Sequence, residues 1–448
     1  MNALIIGSGG REHAMAWKLA KSETIGKVFV APGNAGTHLE YHTENIDIKE
    51  TEIQKLADFA ADKNNRIKFT IVGPEAPLAA GIVDEFRSRG LHIFGPTKAA
   101  ARLESSKEFA KKFMQKYNIP TAKFQTFDNS DPANIQAAHD YIDQNGTPIV
   151  IKADGLAAGK GVVVATTLEE AHQAVDDMLN NSSFGAAGAK VVIEEFLDGE
   201  EASFIVMCDG KNVLPLASSQ DHKRVGDNDT GANTGGMGAY SPAPIITPKI
   251  HAEVMRDVIY PTIRGMLDEG IPFTGFLYAG LMISKNPDAT NKIKVLEFNC
   301  RMGDPETQPI MMRLKTNFAD LIEHAIDGTL NQIDTEWDRR VALGVVLAAQ
   351  NYPKAPKKGD VITFLTKNNI NISNAEKEEI KENNSYVFHA GTAINADGKI
   401  VTNGGRVLCV TALGDSTKIA QKIAYEEVGK ISWDGMHFRH DIGNKALK

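Results

Sequence analysis

The first hundred residues alternate short apolar runs with helix-length stretches, and this alternation constrains the fold more than any other feature of the chain. Leu4-Ile5-Ile6, Val28-Phe29-Val30, Thr70-Ile71-Val72 and His92-Ile93-Phe94 read as strands, with helices expected near 12–22 and 51–64. A helix between two strands returns the chain to its starting end, so the strands pair in parallel. The expectation is a doubly wound α/β sheet, which binds ligands at the carboxyl ends of its strands. All four runs end in a glycine or proline turn: Gly7-Ser8-Gly9-Gly10, Pro32-Gly33-Asn34, Gly73-Pro74-Glu75 and Gly95-Pro96. That edge is the candidate binding face.

At about 100–200 residues per domain, 448 residues imply two to four domains. The net charge of −8 argues against a nucleic-acid partner. Small anions stay open, because backbone donors bind phosphate on an acidic protein. Cys208, Cys300 and Cys409 show no Cys-x-x-Cys spacing and read as reduced structural thiols. The chain opens on a strand pattern rather than a signal peptide, and no apolar run approaches the roughly 20 residues that span a bilayer. A cytoplasmic protein with no membrane partner is expected, acting as a monomer.

A helix is expected over 106–117. A small α/β unit follows, with strands at 148–153, 161–165 and 190–196 and a helix at 168–180. From 202 to 283 the pattern is strands with long connections. The connection 219–243 is rich in Gly, Asn and Asp, and so long a loop is expected to be functional or disordered. Beyond about 330, strands at 341–348, 361–364, 386–390 and 406–411 and a helix at 416–431 predict an α+β domain. Its polar stretch 367–384 reads as a solvated insertion. The expected divisions are 1–102, 103–330 and 331–448.

Gly7-Ser8-Gly9-Gly10-Arg11-Glu12-His13 follows a strand and opens a helix. A dinucleotide fingerprint needs a third glycine where Glu12 stands, and an acid after the second strand, where Ala31-Pro32-Gly33-Asn34 stands. A bare turn and a site for a smaller phosphorylated ligand both remain. In the second reading Arg11 and backbone amides take the phosphate, and Glu12 takes a hydroxyl or amine.

Ile151-Lys152-Ala153-Asp154-Gly155-Leu156-Ala157-Ala158-Gly159-Lys160-Gly161 places a lysine at a strand end, then a small-residue loop with a second lysine. Such a loop lets N–H groups approach phosphate oxygens. It is not a Walker A sequence, and a plain Gly/Lys turn is the other reading. Glu194-Glu195-Phe196-Leu197 ends a strand and precedes Glu200-Glu201, where acids and backbone groups can read a purine and a ribose; solvated strand-end carboxylates are the other reading. In Leu296-Glu297-Phe298-Asn299-Cys300-Arg301, alternate side chains share a strand face. Glu297 and Asn299 offer magnesium the oxygens it favours, and Arg301 can hold a carboxylate or phosphate.

These three segments, in this order, resemble the ATP-grasp superfamily. Within it, Gly7–His13, Ala31–Gly36, Val72–Leu78 and Phe94–Thr97 are similar to the phosphoribosylamine–glycine ligase family. So are Ser219–Arg224, Asn233–Gly238 and Asn299–Arg301. The likeness runs from Met1 to about Gly443. It implies a multi-domain ATP-grasp fold: the N-terminal parallel-sheet domain, a lid at about 123–195, a central domain and the C-terminal α+β domain.

The resemblance also implies ATP-dependent joining of glycine to 5-phosphoribosylamine in purine synthesis, with Mg2+ or Mn2+. By family pattern, Lys107, Lys152 and the loop Gly155, Gly159, Lys160 and Gly161 hold the ATP phosphates. Glu194, Glu195, Phe196 and Leu197 hold adenine, Glu201 the ribose, and Glu297 with Asn299 the metal. Asp221, Lys223, Arg224 and Arg301 surround glycine and the transferred phosphoryl group. Gly9, Gly10, Arg11, Glu12, Asn34, Gly36, Gly73, Pro74 and Glu75, in the first-domain turns, hold the ribose phosphate, and Asn233, Gly235 and Gly236 also bind substrate. The chain departs from the pattern at Ala232, where proline is usual, and at Met302, where phenylalanine is common. The strand Ala279-Gly280-Leu281-Met282 lacks the acid that many relatives place before the metal pair.

Overall fold

The computed structural model describes residues 1–156, 161–180, 189–286, 292–365 and 384–447. The N-terminal strands are β1 (Asn2–Gly7), β2 (Val28–Pro32), β3 (Thr43–Asn45), β4 (Ile67–Val72) and β5 (Ile93–Phe94). They form one parallel sheet in the order β3-β2-β1-β4-β5. The four expected strands are present, and β3 adds an edge. Both faces are covered, as a parallel sheet requires. Leu4 and Ile6 pack on one side with Phe29, Leu56 and Phe86. Ala3 and Ile5 pack on the other with Met15 and Leu19 of α1 (Gly10–Leu19).

The small unit carries β6 (Phe124–Asp128), β7 (Ile149–Ala153), β8 (Val162–Ala165) and β9 (Lys190–Glu195). They form an antiparallel sheet in the order β6-β9-β7-β8, with its own core around Ile142, Ile151 and Ile193. The expected helix over 168–180 is helical from Leu168 to Val175 and continues as a π-helical turn, Asp176–Asn180.

Next come β10 (Glu200–Asp209), β11 (Val213–Pro215), β12 (Gln220–Asp221), β13 (Arg224–Gly226), β14 (Thr230–Asn233), β15 (Gly238–Ser241), β16 (Thr274–Ile283) and β17 (Ile293–Asn299). The long antiparallel pairing β10-β16-β17 is the floor of the central unit.

The connection 219–243, expected as a loop, is strand-forming over much of its length. β13 and β14 pair as a hairpin. β12 and β15 join the sheet of the C-terminal unit, where β15 lies against β18 (Val341–Ala348). That sheet runs β12-β15-β18 and continues through the strands Arg406–Gly414 and Ser385–His389. One apolar cluster includes Ile5, Ile205, Tyr278, Phe318, Val346 and Phe388, so the N-terminal, central and C-terminal units share a core. The insertion 367–384, all but its last residue, lies outside the described residues.

Candidate active site

Parallel pairing brings the ends of β1, β2, β4 and β5 to one edge, as expected. At its centre lies Glu12, only 1% exposed. Its carboxylate accepts the Gly9 N–H at 2.6 Å and caps α1. A Cβ at Gly73 would lie 1.9 Å from Glu12 Oε1, and one at Gly7 2.6 Å from Glu12 Cγ. The glycines are there because the Glu12 side chain fills the space. Arg11 donates to Glu12 and, at 3.1 Å, to the Met302 carbonyl. The helix N-terminus expected to meet a phosphate therefore holds an internal anion.

Asn34 donates to the Ser8 and His389 carbonyls, and Gly36 lies against His13 and His389. Both fasten this edge to the C-terminal unit. Pro74 precedes Glu75, whose carboxylate lies 3.3 Å from Arg301 Nε. Arg301 also reaches Glu104 at 3.1 Å. Burial opposes the Arg301 charge, but Glu104 and Glu75 outweigh this and hold its pKa above the ordinary value.

Strand alternation places Glu297 and Asn299 beside Arg301, as expected; Arg301 Nη2 lies 3.4 Å from Asn299 Oδ1. Gly280 lies opposite Glu297, and a Cβ there would meet Glu297 Cγ at 3.3 Å and the Tyr278 ring at 3.4 Å. Burial would raise the Glu297 pKa. Lys223, Lys152, Lys107 and Arg301 overcome that and hold it at about 2.

Four cations therefore converge on one ionised carboxylate. Lys223 Nζ is 2.8 Å from Glu201 and 3.9 Å from Glu297. Lys107 donates to the Gly155 carbonyl, and Lys152 to the Leu296 carbonyl. Of the glycine loop, Gly155, Leu156 and Gly161 are among the described residues; Gly159 and Lys160 are not.

Two expected groups are arranged differently. Glu194 was read as able to meet adenine with its side chain. Its carboxylate is 2% exposed and lies between Lys111 (2.9 Å) and Lys152 (3.0 Å). Glu195 pairs with Lys294 at 2.6 Å. Phe196 is exposed and Leu197 half-buried, so this strand end offers a ring and backbone groups. Arg224 donates to the Gly231 carbonyl at 2.8 Å, within its own hairpin.

Asp221, in contrast, lies inside. Burial and the nearby Glu306 push its pKa well above the carboxylate range. A Cβ at Gly236 would meet Asp221 Oδ1 at 2.6 Å. Gly235 is held by its carbonyl, which accepts from Arg406 at 2.7 Å. Asn233 ends β14, opposite Arg224.

Several residues here were not singled out from the sequence. Arg406 comes from the C-terminal unit and pairs with Asp304 at 3.1 Å. Glu306 accepts from Ser203 at 2.8 Å. Arg406 and Glu104 carry no local motif. Asp304 and Glu306 stand in the turn after Arg301, where proximity to Glu297 and Asn299 was the signal in the sequence.

The antiparallel lid, the β10-β16-β17 floor and the lysines around Glu297 define an ATP-grasp ligase. Family models match most of the chain: Phosphoribosylglycinamide synthetase N domain at residues 1–104, ATP-grasp (A) domain at 105–307, and C domain at 342–445. The chain belongs to the phosphoribosylglycinamide synthetase family.

It is 60% identical over 448 residues to a phosphoribosylamine–glycine ligase from Ralstonia nicotianae, covering 100% of each chain. The crystal structure of a phosphoribosylamine–glycine ligase from Thermotoga maritima is similar at TM-score 0.81 and 33% identity, covering 99% of this chain and 100% of that one. A biotin carboxylase complex from Campylobacter jejuni, at TM-score 0.70 and 13% identity, covers 100% of this chain and 95% of that one and shares the fold.

Proposed function

We propose that this ligase joins glycine to 5-phosphoribosylamine, forming glycinamide ribonucleotide, ADP and phosphate in purine synthesis. The observation that carries the reading is the convergence of Lys107, Lys152, Lys223 and Arg301 on Glu297, beside the glycine-turn edge of the parallel sheet. A carboxylate is a poor acylating agent. Glycine oxygen attacks the γ-phosphorus, and the bond from that phosphorus to the β,γ-bridging oxygen breaks to release ADP. The phosphoribosylamine nitrogen then attacks the glycyl phosphate carbonyl, phosphate leaves, and the nitrogen loses a proton.

Phosphoryl transfer needs charge neutralisation and alignment more than a protein nucleophile. Lys107 and Lys152 face the ATP phosphates, Lys223 the group in transfer, and Arg301 the glycine carboxylate, with Asp221 beside them. Phe196 and the backbone near Leu197 receive adenine, and Glu201 the ribose. The loop residues Gly155, Gly159, Lys160 and Gly161 serve the ATP phosphates. The glycine-turn edge, with Arg11 and Glu12, takes the phosphoribosyl group.

The donor set fits magnesium or manganese. Glu297 is ionised, and Asn299 offers an amide oxygen on the same strand face. No group of three or more His, Cys, Asp or Glu side chains is placed to bind metal among the described residues. Two protein oxygens thus leave the other positions to phosphate and water. When bound, the ion neutralises charge on the phosphates.

The functional divisions are 1–102, 103–330 with the lid at about 123–195, and 331–448. The enzyme acts as a cytoplasmic monomer on small molecules. Its net charge of −8 supports the absence of a nucleic-acid partner. No helix among the described residues is long and apolar enough to cross a membrane.

The test is phosphate release with ATP, glycine and freshly formed phosphoribosylamine, each omitted in turn. Release that requires all three supports the reading. Equal release with bicarbonate in place of glycine would refute it.

A further inference from the structure

The hairpin β13–β14 stands beside the cluster, yet it has almost no apolar adhesive. None of Asp227–Asp229 is buried, and Thr230–Ala232 are exposed. Asn228 and Asp229 have φ of 56° and 55°. Asn and Asp enter that left-handed region more readily than other non-glycine residues, and here neighbouring groups hold both.

Those groups come from residues 437–441, and Lys445 also pairs with Asp229 at 2.9 Å. Arg439 is fully buried. Its Nη1 donates to the Arg224 carbonyl at 3.1 Å and to Asp229 at 2.8 Å. Its Nε and Nη2 both meet Asp441, at 2.7 Å each. Asp441 in turn accepts the Asn228 N–H at 2.9 Å. The His440 N–H reaches Asp227, and His437 meets the Val225 carbonyl. Every residue from Arg224 to Asp229 except Gly226 has a polar contact to 437–441.

The residue before this hairpin is Lys223. Its carbonyl accepts from Thr234 N–H and Oγ1, so Lys223 is tied to both ends of the hairpin. Its ammonium bridges Glu201 and Glu297. We infer that Arg439 is a positioning residue for ligation: it fixes the hairpin and thereby holds Lys223 against Glu297. Arg439 suits the task because one planar guanidinium satisfies a carbonyl and two carboxylates at once, and an ammonium does not reproduce that fork. The inference rests on the ligase reading. It adds that the C-terminal unit sets the geometry of phosphoryl transfer, although Arg439 touches no substrate.

Two variants of the full chain test it. Arg439→Lys keeps the charge and loses the fork. Asp229→Asn changes a half-exposed partner and leaves the core intact, so it serves even where Arg439→Lys fails to fold. Glycine-dependent phosphate release and ADP affinity, by titration calorimetry, are measured for each. A small misplacement of a charged group costs up to about 100-fold in rate. Turnover should fall about 10-fold or more in Arg439→Lys, and several-fold in Asp229→Asn. ADP affinity should stay within about twofold, because the lid and β17 hold the nucleotide.

Unchanged turnover in Asp229→Asn would overturn the inference. So would parallel loss of turnover and ADP affinity, which marks general loosening. Failure of the wild-type enzyme to require glycine would instead overturn the ligase reading.

Discussion

Lys152 Nζ lies 3.0 Å from Glu194 Oε1, close enough for an ion pair though not aligned as a hydrogen bond, and donates to the Leu296 carbonyl. Lys111 approaches the other oxygen of Glu194 at 2.9 Å. Glu194 is thus the shared counter-charge of two buried lysines; it pairs with Lys152 within one sheet, and Lys152 in turn reaches Leu296 of the central floor. In Glu194→Gln both ammoniums lose their partner. Breaking a buried pair from one side costs about 3–5 kcal/mol. Urea denaturation at pH 7 should show a loss of that order.

Burial, only partly offset by Glu194, lowers the Lys111 pKa from 10.5 to about 8. Between those values the unfolded chain binds more protons than the folded protein, so this group's contribution to stability rises with pH. Its penalty is full below about pH 8 and is lifted towards 10.5. Denaturation midpoints of the wild type and Lys111→Met, compared from pH 7 to 10, check the sign: the gap between them should change in the wild type's favour as pH rises.

Glu297 behaves oppositely. Its folded pKa is about 2 against an ordinary value of 4.5. Its contribution is present above about 4.5 and lost as pH falls through about 2. Glu297→Gln should therefore differ most from the wild type in stability above pH 4.5 and converge with it in strong acid. Glu297→Ala should abolish ligation with the circular-dichroism spectrum unchanged. Near-normal turnover in that variant would refute the metal assignment.

The legibility of these parts follows their locality. The parallel sheet could be read because each of its four main strands carries its own apolar run and its own turn. β3, Thr43-Glu44-Asn45, carries none: it is a half-buried edge defined by pairing with β2. β12 and β15 were hidden for a related reason. They are short, and β15 pairs with β18 about a hundred residues away, so their polar, glycine-rich neighbourhood resembled a loop. Glu297, Asn299 and Arg301 were legible through the two-residue period of one strand. Arg406 and Glu104 reach the same site from separate elements, and only tertiary packing unites them.

Arg301, two residues past the end of β17, pairs with Glu75 of the N-terminal edge and with Glu104. Lysine at this position cannot serve both carboxylates with a planar fork. Glu104 would then keep a buried charge without its partner; burial already pushes its pKa up, against the pull of Arg301. Arg301→Lys should lose about 100-fold in kcat/KM, with the larger part in the glycine dependence. An equal loss against ATP would show that Arg301 serves the nucleotide instead.

Gly73→Ala tests the N-terminal edge alone. The new methyl would lie 1.9 Å from Glu12 Oε1 and 2.5 Å from Glu12 Cγ. Both the tip and the stem of the side chain must move, which pulls the carboxylate from the Gly9 N–H and uncaps α1. The backbone at Gly73 does not demand glycine, since its φ is not among the positive values; the constraint is the space that Glu12 fills. Loss of a cap costs about 1 kcal/mol, so a folded variant with a modest drop in melting temperature is expected. KM for phosphoribosylamine should rise about tenfold or more, while ADP affinity should be unchanged, because the residues proposed for the nucleotide lie on the small unit and β17. Glu12→Gln, which keeps the shape and removes the charge, should raise that KM without the packing conflict. If both variants kept the wild-type KM, the phosphoribosyl group would have to bind away from this edge.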